Sequence, residues 1–153
     1  MQAEAISNLD LAIHLVEEGF CVIPLCSDGK RPVVAWKEYQ THRPSAEDIF
    51  RWFGDNDYTP AIVTGKLSGV TVIDCDNEAA EKHAVDAGLG APLRQRTKRG
   101  VHMVFTHSGE RNTVRIDGVQ GLDRRGEGGY IKAYPDSRHW RGEDILRAPR
   151  ICA

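Results

Sequence analysis

Apolar positions along the chain change period several times, and each change marks an element. Between Asn8 and Glu18, Leu9, Ala12, Ile13 and Val16 recur at helical spacing, and Gly19 suits the helix stop. Phe20 to Leu25 is a continuous apolar run that predicts a short buried strand, and Asp28-Gly29 predicts a turn. A second helix starts at Pro44-Ser45. Ser45 can cap it with Asp48 in the capping-box position, and Ile49, Trp52 and Phe53 form its apolar stripe. Ala61 to Thr64 reads as a strand, Ser68-Gly69 as a turn, and Val70 to Asp76 as the clearest strand of the chain. Asn77 can cap a third helix ending near Gly88. Val101 to Phe105 and Tyr130 to Ala133 are further strands, separated by a stretch from Gly118 to Gly129 rich in glycine and charge. No internal repeat or low-complexity linker interrupts the pattern. Short helices alternating with short strands predict an α/β or α+β sandwich in which helices pack on one sheet.

A length of 153 residues fits one domain spanning 1–153. Hydrophobic residues at 41% and charged residues at 27% exclude a disordered chain. The net charge of −2, from 20 basic and 22 acidic residues, gives no overall pull toward nucleic acid. A nucleic-acid reading must rest on a local cluster, and Arg94, Arg96, Lys98 and Arg99 supply one; the alternative is a solvated loop. The four cysteines, Cys21, Cys26, Cys75 and Cys152, form no C-x-x-C pair, which argues against a zinc knuckle and against a disulfide framework. No apolar run reaches the ~20 residues needed to span a bilayer. The N-terminus, with Glu4 and Asp10, lacks the basic start of a secretory signal. A cytoplasmic location without membrane contact is the resulting expectation.

Three segments carry chemistry. In Val70-Thr-Val-Ile-Asp-Cys-Asp76, strand alternation puts Val70, Val72, Asp74 and Asp76 on one face and Thr71, Ile73 and Cys75 on the other. Carboxylates at i and i+2 stand about 6.5–7 Å apart along the backbone and can lean onto one divalent ion or a close pair. Such oxygen ligands suit Mg²⁺ or Mn²⁺. Alternatively, one or both aspartates cap the following helix. An Asp-x-Asp pair also serves sugar-nucleotide transferases, so it does not name a reaction. In Thr97-Lys-Arg-Gly-Val-His-Met-Val-Phe105, Gly100 lets backbone approach a phosphate and His102 can donate to it; the alternative is a half-buried histidine satisfied by backbone. In Gly121-Leu-Asp-Arg-Arg-Gly-Glu-Gly-Gly-Tyr130, Asp123 is a third candidate carboxylate. Arg124 or Arg125 matches phosphate oxygens, unless the segment is a mobile surface hairpin.

The order of these segments resembles the N-terminal catalytic domain of bifunctional DNA primase-polymerases of the archaeo-eukaryotic primase superfamily, found in plasmids, phages and integrated elements. The likeness covers Glu18 to Leu25, the Lys30, Pro32 and Trp36-Lys37 segment, and Thr64-Gly65-Lys66-Leu67-Ser68-Gly69 before the Asp-x-Asp strand. It continues through Gly100-Val101-His102 and the Gly121 to Tyr130 motif. Two departures stand out. Arg99 replaces the first of two glycines that usually precede the histidine, and Lys132 sits in a strand that is usually apolar.

The resemblance implies an α+β fold: a mixed sheet with packed helices, one half RNA-recognition-like, beside a small αβ half. It implies Asp74, Asp76 and Asp123 as ligands of two catalytic Mg²⁺ or Mn²⁺ ions. His102, Gly100 and Arg125 would contact the nucleoside triphosphate, and Lys30 matches a family position without an assigned role. The implied activity is template-directed nucleotidyl transfer on single-stranded DNA, as a primase, a polymerase or both. The Arg94, Arg96, Lys98 and Arg99 cluster is the candidate template contact. Many relatives continue into a helicase, so a helicase in trans or on a C-terminal region is the implied partner; no helicase motif is present here. The alternatives are a non-catalytic nucleotide- or DNA-binding module of the same fold, and a sugar-nucleotide transferase.

Overall fold

The structure, a computed structural model, describes residues 5–151. Glu4 and Cys152 lie outside them. In chain order the elements are α1 (Asn8–Glu17), β1 (Val22–Leu25), α2 (Ala46–Gly54), β2 (Thr59–Val63), β3 (Val70–Cys75) and α3 (Glu78–Asp86). They continue with β4 (Arg94–Arg96), β5 (Val101–Thr106), β6 (Leu122–Arg125), β7 (Tyr130–Lys132) and α4 (Gly142–Arg147). Local chemistry sets the helix ends. Ser7 Oγ accepts the Asp10 amide at 3.0 Å to start α1. Ser45 and Asp48 exchange both capping-box hydrogen bonds at 3.1 and 3.2 Å to start α2. Asn77 caps α3 by accepting the Ala80 amide at 2.7 Å.

The strands form two sheets rather than the single mixed sheet expected: β1-β2-β7 with three strands and β4-β5-β3-β6 with four. Every pairing between named strands is antiparallel. The expectation failed for a physical reason. β1 and β2 are apolar along nearly their whole length, the pattern of strands covered on both faces, which parallel and mixed sheets share. Here the small sheet is covered on both faces without parallel pairing. One face joins the main core, and Trp36, Tyr39 and Leu67 pack over the other.

The four-stranded sheet also has two chemically distinct faces. Ile73, Cys75, Val101, Met103, Phe105 and Leu122 pack with Ala80 and Ala84 of α3. Val70, Val72 and Val104 point the other way, into a core shared with α1, α2 and the small sheet through Leu15, Phe20, Ile62, Ile131 and Trp140. β6 lies inside the glycine-rich stretch, so that stretch is not a surface hairpin.

The chain crosses between the sheets twice, from β2 to β3 and from β6 to β7, and the two crossings are bonded to each other. The Thr64 amide donates to Gly129 O at 3.0 Å, Thr64 Oγ1 donates to Gly126 O at 2.7 Å, and the Lys66 amide donates to a Glu127 carboxylate oxygen at 2.9 Å. Gly65, at φ +101°, packs so closely that an added Cβ would lie 2.6 Å from Glu127 Oε2 and 3.0 Å from its Cα. The glycines of this motif thus serve the join between sheets.

Phe20 is 1% exposed and meets the Trp140 ring edge-on at 5.9 Å in the core between the layers. Phe20→Ala should destabilise the fold by about 3–5 kcal/mol, read as the shift in urea midpoint at unchanged m-value.

Candidate active site

Antiparallel pairing fixes which side chains meet. On β3, Asp74 lies directly opposite His102 of β5 on one side and Asp123 of β6 on the other. Gln95 of β4 lies opposite His102 in turn. Directly opposed residues share a face, so Gln95, His102, Asp74 and Asp123 form one row across all four strands. Asp76 follows on the same side, just past the end of β3, its amide donating to Gly121 O at 2.8 Å. Asn77 caps α3, so neither aspartate is spent on capping.

Gly100 explains how β5 comes so close at this end. A Cβ there would fall 1.9 Å from the Cys75 carbonyl oxygen. The Thr97 to Gly100 turn that carries it is closed by Thr97 N–H donating to Gly100 O at 3.1 Å and Gly100 N–H donating to Thr97 Oγ1 at 3.0 Å.

Arg125 binds the carboxylates together. It donates through Nη2 to Asp123 Oδ2 at 2.8 Å, and its Nε lies 3.6 Å from Asp74 Oδ2. Asp123 Oδ1 accepts the Arg115 amide at 2.9 Å. His102 is 5% exposed, with Nε2 3.4 Å from Asp74 Oδ1 and Nδ1 buried without a hydrogen-bond partner. A backbone-satisfied histidine would not leave that nitrogen orphaned. Asp76 is raised above the ordinary carboxylate range, first by partial desolvation and then by the Asp74 carboxylate, with Arg99 opposing. Cys75 points to the other face. Burial first and Asp74 second push its thiol up to about 12, so it is a protonated core residue.

These groups stand in a cleft of about 640 Å³ between the two sheets. Asp74, Asp76, His102 and Arg125 line its floor, Thr97, Lys98 and Arg99 one wall, and Asp28, Gly29, Lys30, Tyr130, Ile131, Lys132 and Tyr134 the other. Asp123 borders the floor with its carboxylate turned to Arg125. The basic cluster is divided. Lys98 and Arg99 reach the cleft, whereas Arg94 and Arg96 lie on the α3 side of the sheet, their guanidinium nitrogens 3.8 and 3.2 Å from the Glu81 carboxylate. Sequence reasoning left Gln95 and Tyr134 unnoticed and gave Lys30 and Lys132 no role. Alternation along Arg94-Gln95-Arg96 would have separated Gln95 from its neighbours once that segment was known to be a strand.

The donor set is chemically suited to a hard divalent ion: three oxygen-only carboxylates at one end of a sheet, with Asp76 raised first by burial and then by its Asp74 neighbour. As arranged, no three His, Cys, Asp or Glu groups among the described residues converge on a single point. Arg125 takes up the charge of two of them.

Carboxylates, a buried histidine and several cations around one cleft are the group types that phosphate chemistry draws on. Residues 12–150 match the family model of the bifunctional DNA primase/polymerase N-terminal domain, and the chain belongs to this Prim-Pol family. Its class is that of primase/polymerase-type nucleotidyltransferases, which bind nucleotides and a DNA template. A search of curated proteins gave no match. No helix among the described residues is long and apolar enough to cross a membrane.

The raised Asp76 has a measurable consequence. Its folded state holds the proton to higher pH than the unfolded state, so ionised Asp76 opposes folding above that range. Asp76→Asn should therefore melt at a higher temperature than the parent at neutral pH. The difference should shrink as pH falls toward 3.8, where the unfolded carboxylate also protonates. Melting temperatures measured across pH check both the sign and the window.

Proposed function

We propose that this chain joins nucleotides on a single-stranded DNA template, with Asp74, Asp76 and Asp123 as its catalytic carboxylates. The observation that carries the proposal is the row in which Asp74 lies between His102 and Asp123, one step from Asp76, on the floor of a cleft with cationic walls. The four-stranded sheet with α3 on one face would be the RNA-recognition-like half of an archaeo-eukaryotic primase core, and the small sheet its partner half.

The three aspartates would hold two divalent ions, Mg²⁺ or Mn²⁺, which when bound neutralise phosphate charge and acidify the attacking hydroxyl. The residues themselves position and exclude. His102, kept nearly dry beside Asp74, has one ring nitrogen without a protein partner, and a turn of the ring would bring a donor to a phosphate oxygen. Gly100 leaves the backbone close enough for its turn to lie beside the triphosphate. Arg125 has two roles in sequence: counter-charge for Asp74 and Asp123 in the free protein, then fork donor to phosphate once those carboxylates are otherwise engaged. Lys98 and Arg99, exposed at the rim, take the template backbone. Arg94 and Arg96 join them only if Glu81 releases its hold.

One observation favours the second reading, a binding module without turnover. Arg125 already neutralises two of the carboxylates, and these do not converge on a cation site. The two readings separate in one assay.

Nucleotide incorporation should appear on primed single-stranded template with Mg²⁺ or Mn²⁺, vanish in EDTA, and fall at least about a thousandfold in Asp74→Ala. Products on unprimed template would add priming. Folded parent protein that binds nucleotide but incorporates none under any of these conditions would establish the binding module instead. DNA affinity of the parent should fall steeply with salt, and Lys98→Ala should reduce that slope by about one unit.

A further inference from the structure

We propose that Lys132 is an additional contact for the phosphate tail of the incoming nucleotide, brought to the cleft by the small sheet and aimed by Tyr134. The proposal rests on the nucleotide reading of the cleft. Lys132 belongs to a strand whose neighbours on either side, Ile131 and Ala133, are each 3% exposed and point into the core. Alternation therefore turns Lys132 the opposite way, with Tyr130 and Tyr134, onto the cleft wall.

Its side chain does not extend freely into water. It lies across Gly29 so closely that a Cβ there would sit 2.9, 2.8 and 2.7 Å from its Cδ, Cε and Nζ. The ammonium stands 5.1 Å above the centroid of the Tyr134 ring. The residue is half-buried, yet among the described residues no carboxylate lies within 4.0 Å of its nitrogen. A partly desolvated ammonium without an anionic partner is unfavourable until an anion arrives.

Tyr134 ties this cation to the reacting end of the cleft. Its ring meets the His102 ring edge-on at 6.0 Å, and its hydroxyl accepts the Lys98 amide at 3.5 Å. Behind it, Tyr134 N–H donates to Ser137 Oγ at 3.2 Å, and Ser137 Oγ donates to Gln95 Oε1 at 3.3 Å, beside His102 in the strand row. One ring thus positions His102 and Lys132, which come from different sheets. Lys132 stands on the wall opposite the Lys98 and Arg99 rim, which favours a compact polyanion held between the two walls over a DNA strand, which carries one charge per nucleotide and has the exposed rim to follow.

The test uses the full chain and calorimetric titration with a non-hydrolysable deoxynucleoside triphosphate analogue, with Mg²⁺ and in EDTA. The matching monophosphate and single-stranded DNA are titrated in parallel. Lys132→Met keeps the stem and removes the charge; Lys132→Arg keeps the charge; equal urea midpoints certify the fold. Lys132→Met should weaken triphosphate binding about tenfold in both buffers, leave monophosphate and DNA within about twofold, and raise KM with little change in kcat. Lys132→Arg should recover most of the loss, and Tyr134→Leu should lose part of it. Unchanged triphosphate affinity in Lys132→Met, with Asp74-dependent binding intact, overturns the Lys132 assignment alone. An equal loss for DNA, with a salt slope lower by about one, reassigns Lys132 to the template and overturns the proposal. A parent protein that binds DNA but no triphosphate sinks the nucleotide reading itself. Should Lys132→Met fail to fold, Lys132→Gln provides the same comparison.

Discussion

Backbone hydrogen bonds hold β3 between β5 and β6 in a register that leaves Asp74 no choice of neighbours. Side-chain period in a strand is two, so a slip of one residue in either pairing would turn His102 or Asp123 to the α3 face and bury an imidazole or a carboxylate among Ala80, Ala84 and Met103. The apolar residues along the same strands prevent that slip. Ile73, Val101 and Leu122 must face α3, and Val70, Val72 and Val104 must face the core between the layers. The geometry of the polar row is thus enforced by the apolar residues beside it.

The opposite pressure comes from charge. Three aspartates at one sheet end repel one another, and the partial desolvation that would strengthen a bound cation also raises Asp76. Arg125 relieves part of this by lying between Asp74 and Asp123. Its place on β6, two residues from Asp123, makes that pairing automatic, since i and i+2 share a face. If the proposed cations and polyanion bind here, part of their binding energy would come from relieving the repulsion among the three aspartates.

Much of this was legible in the sequence because capping and alternation act locally. The Ser45–Asp48 box, the Asn77 cap, the Gly19 stop and the Asp-x-Asp strand all follow from neighbours a few residues apart. The three chemistry-bearing segments were legible as segments, and the structure brings Asp74, Asp76, Asp123, His102 and Arg125 together. Two strands were not legible. β4 and β6 carry polar residues on the faces that matter, Arg-Gln-Arg and Asp-Arg-Arg, and so read as loop. Missing β4 left the basic cluster looking like one patch, although strand alternation and Glu81 divide it. The number of sheets was hidden because it depends on where the chain crosses between layers, which Thr64, Lys66 and Glu127 decide through contacts some sixty residues apart.

Those crossings lie by the N-terminal end of β3, where Val70 begins, and the carboxylates stand by its C-terminal end. The two layers are therefore joined at both ends of β3, by the bonded crossings at one and by Tyr134, which meets Lys98 and His102, at the other. Side chains wedged between the layers, Trp140 and Val104 among them, act as the shim that sets the resting gap. Residues remote from any substrate thereby hold leverage over how widely the cleft stands open.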